Sequence, residues 1–220
     1  MKRKIALLLA SVACVALFLS GAKTKVISED EAKKAGLALI NRVFDVSETK
    51  ATVTNAVPSR DSGGGGTDQT AGEQIVNSYA VAVPELEDGQ AEYIAYVNAE
   101  TGVAYAAEQS YAHVPKMTDE QKNTWKKAYG SGDANDFDYL SMDIACKDFA
   151  REWIAHKFEL KAKVLGMIDS GSIFDQDGAS TNFYIVIRDG TIYHVTIAWP
   201  QLTVIEVTML NQTLTTGDAP

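Results

Sequence analysis

Between residues 182 and 199 the chain reads NFYIVIRDGTIYHVTIAW, two alternating apolar runs separated by Asp189-Gly190. Asp-Gly tolerates the positive backbone angles that a two-residue hairpin requires, so alternating runs on either side of it commit this region to antiparallel strands. A two-residue period places Tyr193, Val195, Ile197 and Trp199 on one side of the second strand. Ile192, His194, Thr196 and Ala198 take the other side, which is only moderately polar. That second side is therefore expected to be covered as well, by another sheet of the same chain or by a second copy.

What precedes this hairpin is a helix. The run SMDIACKDFAREWIAHKF (141–158) repeats its apolar residues at helical spacing, with Met142, Ala145, Cys146, Phe149, Trp153 and Phe158 on the face expected to be buried. AKVLGMI (162–168) then predicts a strand, 169–181 a polar loop, and LTVIEVTML (202–210) a final strand. The same order occurs earlier in the chain. Ser28 and Glu31 form a capping box ahead of a helix whose stripe is Ala32, Ala35, Leu39, Ile40 and Val43. Strand-prone runs follow at 51–57, 75–83, 92–97 and 103–107, with turns at 87–89 and 100–102. The residues differ between the two segments and the order is kept, which points to duplication. One helix followed by antiparallel strands is an α+β layer, the helix covering one sheet face.

The resulting plan has a leader at 1–22, a first α+β module at 23–112, a connector with a short helix at 113–136, a second module at 137–212 and a tail at 213–220. In the connector Thr118 and Gln121 cap the helix DEQKNTWKKAY. The segment SRDSGGGGTDQT (59–70) lacks the Lys and the helix start of a phosphate loop and is expected to be a plain linker.

Residues 1–22 have the make-up of a secretory signal. Lys2, Arg3 and Lys4 precede an apolar run from Ile5 to Leu19, and Ser20-Gly21-Ala22 supplies small residues for cleavage. This run of fifteen residues, broken only by Ser11, at about 1.5 Å each falls short of the ~30 Å hydrocarbon layer, which favours a cleaved signal over an anchor. Cys14 lies inside the run, where a lipidated cysteine would not. Cleavage removes three cations and no acid, taking the formal charge from −9 to −12. So acidic a chain is a poor ligand for phosphate backbones, and nucleic acid is excluded as a partner. With Cys146 the single thiol left, the fold is expected to rest on its core.

The strand ending YVNAETGVAY (96–105) closes the first module, and the capped helix ISEDEAKKAGLA (27–38) opens it. Together they resemble the PepSY domain family over residues 26–110, whose last hairpin reads roughly Val-Asp-Ala-x-Thr-Gly. Here Val97, Asn98, Ala99, Thr101 and Gly102 match that turn, with Asn98 where the family usually carries Asp. The turn chemistry is local. The Asn98 side chain is expected to accept backbone hydrogen bonds, and Gly102 to take the positive-φ position. The resemblance implies a PepSY-like or cystatin-like α+β fold, an extracytoplasmic location and a non-catalytic role. Some relatives inhibit or regulate peptidases.

No motif for bond-breaking chemistry accompanies it. Gly-x-Ser-x-Gly and His-Glu-x-x-His are missing, and Cys146 lies on an apolar helix face. His113, His156 and His194 are isolated, without a second ligand at metal spacing. The acidic stretches DANDFD (133–138) and DQDG (175–178) lack the Gly and Glu of a calcium loop, and Asp138 is expected to cap the helix after it. No cofactor or metal is expected. Trp125, Trp153 and Trp199 are expected to serve packing, Trp153 in the core.

These readings predict a secreted or cell-surface protein that binds a protein or peptide partner along an exposed strand edge, peptidase inhibition being one form. Two other readings remain at this point. One is a small-molecule carrier or enzyme with an apolar pocket lined by Tyr184, Tyr193 or Trp199. The other is a structural envelope protein that self-associates, for instance as a homodimer.

Overall fold

A computed structural model describes residues 26–56, 77–83, 91–129, 137–175 and 178–210. The leader, the glycine-rich segment and the tail lie outside the described residues. Helix α1 (Glu29–Phe44) begins as its sequence predicts: the Ser28 hydroxyl accepts from the Glu31 N–H, and the Glu31 carboxylate accepts from the Ser28 N–H. Asp45 ends it in the left-handed region at φ 56°. Four strands follow: β1 (Thr52–Ala56), β2 (Ser78–Ala82), β3 (Tyr93–Asn98) and β4 (Ala104–Gln109). The connector carries helix α2 (Asp119–Tyr129), its start held by reciprocal Thr118–Gln121 hydrogen bonds. Helix α3 (Tyr139–Lys157) opens the second half, followed by β5 (Val164–Asp175), β6 (Gly178–Ile187), β7 (Ile192–Trp199) and β8 (Thr203–Met209). The α+β class and the helix-then-strands order are those of the sequence.

Stacking of two sheets, one of the two arrangements considered for covering the second face, is not what forms. All eight strands join one antiparallel sheet in the order β1-β2-β3-β4-β8-β7-β6-β5. Each half is a meander, and the halves meet edge to edge through their last strands. Ala106, Ala107 and Glu108 stand opposite Thr208, Val207 and Glu206 at this seam. Joining two edges satisfies the backbone groups that separate sheets would leave open.

Register then decides the faces. Val53, Val81, Ala95, Ala107, Val207, Val195 and Phe183 are opposite one another in turn across seven strands. Leu39, Ile40 and Val43 of α1 share a core with Met142, Cys146, Ala150 and Ile154 of α3 and with the residues of that row from Ala95 to Phe183. Both helices therefore lie on the same side of the sheet. Their C-terminal ends meet there, where Lys157 forms an ion pair with Asp45 and the Arg42 guanidinium sits 5.1 Å from the centre of the Phe158 ring.

Two details differ from the helical stripes read in sequence. On α1 the buried face includes Gly36 in place of Ala35, because α1 is seated so close to β2 that a Cβ at residue 36 would fall 2.6 Å from the Val81 Cβ. On α3 the buried face is Met142, Cys146, Ala150, Ile154 and Lys157, with Ala145, Phe149, Trp153 and Phe158 only partly buried around it. The expected polar loop at 169–181 is not seen among the described residues either. Residues 169–175 and 178–181 belong to β5 and β6, which pair with register shifts at Leu165 and Ser170. Pairing with β6 overrides their weak strand preference, and an edge strand keeps one side for its polar groups.

The repeated order of elements is matched by a repeated turn geometry that the strand order alone did not reveal. In the first half the register between β3 and β4 shifts after Tyr96, leaving Tyr105 as the extra residue; in the second the β7–β8 register shifts after Thr196, leaving Ile205. Both turns use a left-handed residue at the same place, Gly102 at φ 73° and Leu202 at φ 53°. The second half thus keeps the turn geometry without the Thr-Gly sequence.

Candidate functional site

The turn read as a family motif is built as the sequence predicts. The Asn98 side-chain oxygen accepts from the N–H groups of Glu100 and Thr101, both at 2.9 Å, and the Gly102 N–H donates to the Asn98 carbonyl at 2.9 Å. Asn98 itself is buried, and so are Val97 and Ala99, which pack with Ala32, Tyr79 and Val81 in a small core under α1. The Ile27 N–H donates to the Ala99 carbonyl and the Tyr79 hydroxyl to the Ile27 carbonyl, so the turn anchors the start of α1. Thr101 supports it through its hydroxyl, which accepts from the Val103 N–H. These residues hold the fold; Val97, Asn98 and Ala99 present no side chain for a ligand to touch.

The residues weighed for chemistry are dispersed. Cys146 is fully buried, and burial, with the carboxylates of Asp143 and Asp169 nearby, pushes its pKa up to about 12. It stays a thiol at neutral pH. His113 stacks on Tyr93, His156 is on α3, and His194 is on the sheet face away from the helices. Among the described residues no three His, Cys, Asp or Glu side chains gather as metal ligands. Asp138 caps α3, its carboxylate accepting from the Ser141 N–H and hydroxyl, and these bonds lower its pKa. Asp133, Asn135 and Asp177 lie outside the described residues. Tyr184, Tyr193 and Trp199 do not share a cavity: Tyr193 and Trp199 face the core, and Tyr184 faces the opposite side beside His194. Trp125 and Trp199, far apart in sequence, do meet, with ring centres 6.0 Å apart in a cluster with Tyr129 and Phe137 that docks α2.

The face away from the helices carries a polar row over the seam. Tyr96, Glu108, Glu206, His194 and Tyr184 come from five neighbouring strands, and Glu108 stands directly opposite Glu206. The Tyr96 hydroxyl donates to Glu108 at 3.4 Å, and the Thr208 hydroxyl donates to Glu206 at 3.2 Å. Burial, then the Glu206 charge, raises the Glu108 pKa; burial, then Glu108, pushes Tyr96 up to about 12. Burial lowers His194, with Glu206 opposing. Because the folded chain holds the Glu108 proton more tightly than the unfolded chain, this group's contribution is fully present below its ordinary pKa of 4.5 and is lost as pH rises through the folded value. At neutral pH the two carboxylates repel across the seam. Glu206→Gln is therefore expected to stabilise the protein near pH 7 by roughly 0.5 kcal/mol, the scale of a cross-strand pair, and to change nothing near pH 3. Urea titrations at both pH values check it; a loss of stability at pH 7 would contradict the repulsion.

Three exposed apolar side chains lie along the edge formed by β5. Leu165, Ile168 and Ile173 are 61%, 59% and 54% exposed. β5 ends the sheet, and among the described strands none pairs with its outer side. Between β5 and α3 runs a groove of about 620 Å³, lined in part by Lys147, Arg151, Ala155, Lys163, Leu165 and Met167. Sequence reasoning missed this edge because it assigned half of β5 to a loop. The signal was the β-prone pair Ile173-Phe174, obscured by the Ser, Gly and Asp residues around it.

No protein-family model matches the chain, and no curated protein matches it. Among solved structures it is similar to the Bacillus megaterium YpeB C-terminal domain, at 9% identity and a TM-score of 0.44, over 89% of this chain and 70% of that one. No described helix is long and apolar enough to cross a membrane.

Proposed function

We propose that this chain works by contact: an extracytoplasmic, non-catalytic PepSY-like protein that binds a protein or peptide partner, with regulation or inhibition of a peptidase as the form its family resemblance favours. The observation that carries this reading is the β5 edge. A long outer strand with three large apolar side chains in water beside a groove is what monomeric proteins ordinarily avoid or cover, and what strand-adding partners use. The signal-like leader supports export, and the acidic net charge supports a partner other than nucleic acid. The buried, high-pKa Cys146 and the dispersed histidines support a role without covalent chemistry.

The test places charge on the edge. Ile168→Lys with Ile173→Lys is expected to abolish capture of the partner from envelope or culture-medium extracts of the native organism. Both side chains are exposed, so folding stability should change by no more than about 0.5 kcal/mol per site. Unchanged capture, or turnover of a peptide, ester or glycoside by the purified chain, would refute the proposal.

A further inference from the structure

The two groove cations on α3 are already paired, Lys147 with Asp143 at 2.7 Å and Arg151 with Asp148 at 3.3 Å. The charges left along the edge belong to the β5 segment itself. Lys163 lines the groove on the helix side, and Asp169, opposite Phe183 by register, lies on that same side. Both are exposed, and neither forms an ion pair among the described residues. The Asp169 carboxylate accepts from the Gly171 N–H at 2.8 Å, which fixes it without neutralising it. With a cation first and an acid further on, the edge favours neither a basic nor an acidic partner. It does complement its own sequence run in reverse.

Gly166 is midway between the two charges. A second copy turned about a two-fold axis through Gly166, perpendicular to the sheet, lies antiparallel to the first and keeps both helix layers on one side. The operation brings each Lys163 to the other copy's Asp169. Leu165 and Met167, both in the groove lining, come opposite one another. On the face away from the helices the axis passes between two glycines. A Cβ at Gly166 would have no atom within 4 Å, so this face has room for the exposed Ile168 side chain of each copy. At the other end of the sheet β1 reads Thr-Val-Thr-Asn-Ala and carries no charge to match, and β5 laid on β1 would build an open row of copies instead of a closed pair. We propose that β5, when no partner holds it, pairs with β5 of a second copy about an axis at Gly166. The proposal rests on the contact reading above and adds its regulation: the dimer covers the edge, and a partner must displace it. The register shifts at Leu165 and Ser170 keep the pairing short and the interface small, so Kd is on the order of 10–100 μM and dilute chain leaves the edge free.

Sedimentation equilibrium at about 0.15 M salt, where charges more than ~8 Å apart are screened, is expected to show a monomer–dimer equilibrium in that range. Lys163→Glu sets like charges together at both ends of the pairing and is expected to weaken the dimer roughly tenfold. Lys163→Glu with Asp169→Lys exchanges the two charges and is expected to restore it. Gly166→Cys gives a second readout. Directly opposed residues of antiparallel strands have Cα atoms about 4.5–5.5 Å apart, within disulfide reach. Oxidation with copper phenanthroline is therefore expected to yield a covalent dimer that the parent chain, with its own cysteines, does not form. A monomer at every concentration, no restoration in a double variant of parental stability, no crosslink through residue 166, or growth beyond the dimer would overturn the proposal. These failures are separable from failure of the contact reading: partner capture by a chain that never dimerises, lost in the Ile168→Lys, Ile173→Lys variant, would leave that reading standing.

Discussion

Replacing Gly36 by valine is expected to lower stability by about 3 kcal/mol and the melting temperature by roughly 10 °C. Gly36 is where α1 comes closest to the sheet. A Cβ built there falls 2.6, 2.7 and 2.9 Å from the Cβ and two methyl carbons of Val81, a residue of β2 that is itself fully buried. Neither side can yield: Val81 is packed under α1 and held in register with Val53 and Ala95 on both flanks. Alanine at residue 36 gains helix propensity of up to ~1 kcal/mol and still meets Val81, so it should cost less than valine. Gly36→Ala combined with Val81→Ala should recover part of the loss. Thermal melts of the three variants check this, and a Gly36→Val protein as stable as the parent would mean that α1 is not seated on β2 as described.

Val207→Asp is expected to cost more than about 4 kcal/mol, the scale of an uncompensated charge in a core. Val207 is 1% exposed and lies between Ala107 on one side and Val195 on the other, at the strand pair that joins the two halves. A carboxylate there either stays ionised without a partner or takes up a proton at a raised pKa, and both routes lower stability. The next residue provides the control. Thr208 points to the opposite face beside Glu206, so Thr208→Asn, which adds no third carboxylate there, should cost less than about 1 kcal/mol. Chemical denaturation of the pair measures the register of the seam directly. Similar losses for both would mean that β8 does not sit in this register, and the continuous core beneath both helices would fail with it.

How far the chain could be read in advance varied with the range of the interaction. The Asp189-Gly190 hairpin, the Ser28–Glu31 capping box and the Asn98 turn each depend on groups a few residues apart, and each forms as the local chemistry predicts. The burial of Tyr193, Val195, Ile197 and Trp199 followed in the same way from a two-residue period. Gly36 could not be recognised as a contact because its neighbour Val81 is brought in by a strand far along the chain. The meeting of β4 and β8 depends on which edges remain open after each meander has formed, information that no single segment carries. The second half of β5 was the costliest omission. Its Ser, Gly and Asp residues favour turns in isolation, and β6 supplies the pairing that makes them a strand. The candidate site was legible only as a general expectation of an exposed edge, because its location required that strand.

Hydrogen exchange of the chain with and without the partner proposed for it is the decisive measurement. Slowed exchange is expected within Val164–Asp175, with unchanged amides in β2, β3 and β7. Slowed exchange elsewhere, with β5 exchanging as fast as in the free chain, would contradict it.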